Sequence, residues 1–184
     1  EDFDSFLKKL IEASKEDDDV GVAVALRSVM AETYLSMGIE DFMIALYDDL
    51  EYVERLMDLY MDFTLKAIDI VAENGADLVL IDDDLADSNG FMIGAIKTKE
   101  LWYDRNMEIT NKLKNKGIPY VGHCCGKVDD IIPWMIEMGY LGIHPIQPGC
   151  NDIYKLKKKY QGQISFIGNI DIDSILTKGS EEDV

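Results

Sequence analysis

Cysteine and histidine are scarce in this chain, with three and two among 184 residues. So small and odd a set of cysteines excludes a disulfide-stapled fold, and Cys124 and Cys125 are adjacent, a pairing that disulfide geometry disfavours. Thiol or metal chemistry suits them better. Basic residues are also few: 18 Lys and Arg stand against 36 Asp and Glu, a formal charge of −18. That charge repels nucleic-acid phosphates and anionic lipid surfaces, so neither is expected as a partner. No apolar run approaches the roughly 18 residues that suggest a membrane span. The opening EDFDSFLKKL lacks the basic start and apolar centre of a secretory signal. A cytoplasmic protein is expected. GxGxxG, Walker and Ser-His-Asp spacings are missing as well, which removes those three chemistries.

What remains is a globular composition, 47% hydrophobic and 29% charged, long enough to bury a core as one domain over residues 1–184. From about Glu51 helical periodicity alternates with short aliphatic runs that end in polar residues, Gly or Pro. Helices are expected over Phe3–Ser14, Leu50–Asn74, Lys99–Lys116, Val128–Met138 and Asp152–Tyr160, with another beginning near Asp173. Strands are expected over Val20–Leu26, Leu78–Ile81, Ile118–Gly122, Tyr140–Ile143 and Ile164–Ile167, and a long loop over Asp82–Lys97. In the helix 50–74, Leu56, Leu59, Phe63, Ala67 and Ile70 form the expected buried stripe. Strands separated by helices of crossover length imply a parallel α/β fold, barrel or open sheet.

Polar clusters fall where strands finish: Asp82-Asp83-Asp84, His123-Cys124-Cys125, His144-Pro145 and Gly168-Asn169-Ile170-Asp171. In both parallel folds those ends build the active site. Alternate residues of a strand point the same way, so His123 and Cys125 would offer an imidazole and a thiolate to one borderline metal such as zinc. The bland alternative is a hydrogen-bonded histidine beside buried thiols. Cys150, in the next loop, is the candidate third ligand or an ordinary loop thiol. His144 is placed to orient a ligand or meet substrate. Crowding of Asp82, Asp83 and Asp84 raises the pKa of at least one if they face each other. They suit a proton relay, a support for the metal or a substrate clamp, with local capping by Asp84 or Asp87 as the plain alternative. Asn169 and Asp171 read equally as binding residues or loop structure.

Three segments, GADLVLIDDDLADSNGFMI, IPYVGHCCGKVDDIIPWMIEMGYLGIHPIQP and LKKKYQGQISFIGNIDI, together resemble the uroporphyrinogen decarboxylase superfamily of (β/α)8 TIM barrels. The run from HCCG through IHPIQP to GNID is closer to its zinc-dependent corrinoid/thiol methyltransferase branch. The resemblance implies an incomplete, central-to-late barrel portion of about five strands, a fragment of a longer chain. It implies zinc on His123 and Cys125 with a further cysteine downstream, at a position beyond Val184 that Cys150 does not occupy, and a corrinoid (cobalamin) methyl donor, free or on a partner protein. A small thiol is the implied acceptor. The expected catalytic residues are Asp82, Asp83 and Tyr34, and the expected substrate contacts Asn169, Asp171 and His144; of these only Tyr34 rests on the resemblance, and Asp83 stands where the decarboxylases carry a small hydroxyl residue. Tyr34, in AETYLSMG, sits where the decarboxylases hold a substrate-contacting tyrosine, so cofactor-free uroporphyrinogen III decarboxylation is the alternative. A silent binding or assembly module is a second. Uncovered barrel edges predict a homo-oligomer or other association.

Overall fold

Helices in this chain stop on glycine, and strands start soon after. Gly75, Gly117 and Gly139 cap three helices in left-handed backbone, and each time a strand begins three residues later. The computed structural model describes residues 2–17 and 19–183. Its strands are β1 (Ala23–Arg27), β2 (Leu78–Asp82), β3 (Tyr120–His123), β4 (Gly142–His144) and β5 (Ser165–Phe166). They form one sheet, every pairing is parallel, and the spatial order follows the chain order. A doubly wound sheet reverses its order at a switch point. This one never does, so successive right-handed crossovers lay the helices on one face, as in a portion of a (β/α)8 barrel.

The helices are α1 (Phe3–Ser14), α2 (Val29–Met37), α3 (Ile39–Asp48), α4 (Leu50–Asn74), α5 (Ala95–Thr98), α6 (Asp104–Lys116), α7 (Ile132–Met138) and α8 (Ile153–Lys159). A π-helical turn, Lys99–Tyr103, joins α5 to α6. Val79, Ile81, Tyr120 and Ile143 are buried beneath the helix layer. A Cβ on Gly122 would strike Met135 and Tyr140, so α7 lies close against β3 there. None of the described helices is long and apolar enough to cross a membrane.

Several expectations need correction. The stretch between β1 and α4 holds two helices that periodicity missed: α2 buries the consecutive Val29, Met30 and Ala31, leaving no 3.6-residue stripe to read. In α4 the ends match, but the buried stripe is Val53, Met57, Thr64, Ala67, Ile68 and Val71. Leu59 and Phe63 are 61% and 71% exposed. The helix is apolar on more than one side, and packing against α1, α2 and α6 selects the face. α7 starts at Ile132, because Val128 is held outside the helix by a bond from its N–H to Asn151 Oδ1 at 3.0 Å. The loop after β2 turns helical at Ala95, four residues before the expected Lys99.

Candidate metal centre at the carboxyl ends of the strands

Parallel register sets one residue from each of four strands in a row. Arg27 pairs with Asp82, Asp82 with His123, and His123 with His144. Neighbours in register share a face. Because Ile81, Gly122 and Ile143 face the helices, this row leaves the sheet on the opposite side. Two residues further on, Asp84 follows Asp82 and Cys125 follows His123, so a second pair forms above the first.

The atoms converge. Cys125 Sγ lies 3.4 Å from His123 Nε2, and Asp84 Oδ1 lies 3.5 Å from the same nitrogen. Asp84, His123 and Cys125 are a half-buried group whose donor atoms all lie within 4.8 Å of one another. Asp82 Oδ1 stands back at 4.0 Å from His123 Nε2, and its Oδ2 accepts from Arg27 Nε at 3.4 Å. On the other side of the ring, His123 Nδ1 and His144 Nδ1 are 2.9 Å apart. Hydrogen bonding to Asp84 and then Cys125 pushes the His123 imidazole up to about 10. Burial, and then the charge on His123, hold His144 below the ordinary range. His123 therefore donates across that contact and His144 accepts.

The three aspartates have three different fates. Asp83 points away from the row and is buried, accepting from Ala31 N at 2.6 Å, Met30 N at 3.4 Å and Trp102 Nε1 at 2.6 Å. Burial pushes its carboxyl up to about 7, against the N–H donors of Ala31 and Trp102. The cause is desolvation, and crowding, the expected one, is not. Burial would raise Asp84 too, but the imidazole of His123 and the Cys125 N–H, which donates to Oδ1 at 2.6 Å, hold it below the carboxylate range. The capping expected of Asp84 or Asp87 belongs to Asp87, whose Oδ1 accepts from the N–H groups of Asn89 and Gly90.

Other candidates fall around this centre. Tyr34, half-buried on α2, packs on Phe42 with ring centroids 6.1 Å apart. Its phenol is raised by burial and then by the charges of Asp84, Asp83 and Asp82. Cys124 is buried, accepts from Leu85 N at 3.3 Å, and has its thiol raised by burial. Cys150 lies in the loop after β4 and is not among the converging donors. Asn169 donates to Ile146 O at 2.7 Å, and Asp171 caps the following turn through Ser174 N at 2.6 Å. Both are engaged in loop structure. Sequence reasoning missed Asp84 as a donor, yet the alternation that joined His123 to Cys125 joins Asp82 to Asp84 equally well.

The loops hold each other. Gly126, at φ +77°, lies so close to the Asp87 carbonyl that a Cβ would collide with it, and Lys127 N donates to that same oxygen at 2.8 Å. Gly126 N donates to Gln147 Oε1 at 2.9 Å, and Asn151 Nδ2 to Gly126 O at 2.7 Å.

Residues 20–184 match the family described as Uroporphyrinogen decarboxylase (URO-D). The chain is similar to the methylcobamide:CoM methyltransferase MtbA of Methanosarcina acetivorans, 30% identical over 134 residues, 73% of this chain and 38% of that protein. Its fold is similar to a methyltransferase from Methanosarcina mazei, with a TM-score of 0.77 and 17% identity, covering 96% of this chain and 51% of that one. The chain thus spans between about a third and a half of the length of these relatives.

Proposed function

The chain belongs to the uroporphyrinogen decarboxylase (URO-D) family, and we propose that its site serves the transfer of a methyl group from a corrinoid to a small thiol, with zinc held by His123 and Cys125. The observation that carries this reading is the 3.4 Å approach of Cys125 Sγ to His123 Nε2 at the strand ends. The donor set fits the ion: one imidazole, one thiol and one carboxylate are all zinc ligands. Similarity to a protein named a methylcobamide:CoM methyltransferase supports the choice of donor and acceptor.

Zinc in a site with an open position lowers the pKa of a bound thiol and makes it a nucleophile near neutral pH. The chain's own groups do the rest. His144 accepts from His123 Nδ1 and so keeps Nε2 turned toward the metal. Asp82, steadied by Arg27 and 4.0 Å from His123 Nε2, is the carboxylate placed to receive the acceptor's thiol proton. Tyr34, whose pKa is raised by burial and the nearby carboxylates, keeps its proton and has an O–H to offer a substrate. Asp83 acts from behind by fixing α2 and Trp102. Asn169 and Asp171 shape the rim. A corrinoid protein is the proposed partner, presenting its cofactor at this mouth.

Tyr34, beside the family's own description, favours metal-independent decarboxylation of uroporphyrinogen III. A polycarboxylate needs several cations, and Asp82 and Asp84 with a single Arg27 in the row are a poor receptor for it.

The test is zinc content of the folded chain, read beside turnover of methylcobalamin with a small thiol. About one zinc per chain is expected, lost in His123→Ala and Cys125→Ser, with thiol methylation lost alongside it. A folded wild-type chain that takes up no zinc overturns the reading.

A further inference from the structure

We infer that Asp84 is the third protein donor to this metal and that Cys150 is not a ligand. The inference rests on the proposed metal reading of His123 and Cys125. A tetrahedral zinc ion with bonds of ~2.0–2.3 Å to nitrogen, oxygen and sulfur spaces its donors roughly 3.3–3.6 Å apart. His123 Nε2 lies 3.4 Å from Cys125 Sγ and 3.5 Å from Asp84 Oδ1, two edges of the span such an ion needs, and the sulfur and the carboxylate lie within 4.8 Å of each other.

The backbone holds this arrangement without help from the metal. Register carried two residues past the Asp82 and His123 pair sets Asp84 opposite Cys125. Asp83 N donates to His123 O at 3.1 Å, Leu85 N to Cys124 Sγ at 3.3 Å, and Cys125 N to Asp84 Oδ1 at 2.6 Å, so the two strand ends are tied on both sides of Asp84. A carboxylate has lone pairs enough to accept that N–H and still bind an ion. Cys150 is differently placed. Its loop is pinned on either side, by Gln147 Oε1 on Gly126 N and by Asn151 on Gly126 O and Val128 N. Between those anchors its thiol lies outside the converging group. With Asp84 included, the converging residues offer a borderline metal one thiolate, one carboxylate and one imidazole.

X-ray absorption at the zinc edge, with zinc affinity measured by competition with a chelator, tests this on the zinc-loaded chain. One sulfur at ~2.3 Å with the remaining scatterers at ~2.0–2.2 Å is expected, unchanged in Cys150→Ser. Asp84→Asn keeps an acceptor for the Cys125 N–H and removes the anionic donor. Its affinity should fall by at least the ~10–100-fold typical of losing a supporting group, with the circular dichroism of the apo protein unchanged. Two sulfurs in the wild type, one of them lost in Cys150→Ser, would overturn the inference and spare the metal reading. Wild-type affinity in Asp84→Asn does the same. A wild-type chain without zinc overturns both.

Discussion

Asp82, Asp83 and Asp84 are chemically identical and adjacent in sequence, and strand alternation turns the middle one away from the other two. Asp83 turns toward the helices, where it anchors the start of α2 and the indole of Trp102. Replacing it by Ala leaves those donors buried without a partner and should cost about 2–4 kcal/mol of stability in urea unfolding. Its carboxyl rises from 3.8 to about 7 on folding. The folded chain therefore holds a proton that the unfolded chain releases across that interval. The stability this contributes is complete below the lower value and lost as pH climbs through the upper one. Between pH 5 and 7 the urea midpoint of the wild type should fall more steeply than that of Asp83→Asn; equal slopes would refute the ionisation. His123 and Cys125 were legible as a pair because the i, i+2 rule needs only a strand. The inward fate of Asp83 was not legible, because its indole partner Trp102 sits on a π-helical turn that no periodicity announces.

Element boundaries were more legible than element faces. Both α1 and α4 run between the expected residues, since capping aspartates start them and Gly75 ends the longer one. The face of α4 was not legible, because its sequence offers apolar residues on several sides and only its neighbours decide between them. The structure makes a sharp distinction here. Met57→Ala, at a fully buried position, should cost ~2–5 kcal/mol, and Leu59→Ala, on the exposed side, should stay within ~0.5 kcal/mol. Thermal or urea unfolding of the two variants checks the rotation. The reverse ranking would restore the stripe first expected.

At the scale of the whole molecule, parallel strands in chain order were legible from the alternation of helix and strand, and the site's end of the sheet from where polar clusters fall. What no local pattern carries is the register that aligns Arg27, Asp82, His123 and His144, residues 117 positions apart at the extremes. The outer strands β1 and β5 each pair on one side within this sheet. Beside β1 runs a cleft of about 620 Å3 lined by Phe3, Arg27, Tyr60 and Phe63. Apolar surface favours association, while a charge of −18 opposes it and is screened by salt. The chain should sediment as a monomer at low ionic strength and self-associate as salt rises to about 0.5 M, where the screening length is only a few ångströms. Sedimentation independent of salt would refute that balance.

The contact of Gly126 with the Asp87 carbonyl has a consequence for how this rim changes over time. Two neighbouring loops pressed back to back cannot be exchanged one at a time, because a graft bearing any side chain at 126 would evict its neighbour. The segments after β2 and β3 therefore have to be exchanged as a matched set, and anyone transplanting this site into another scaffold must move both.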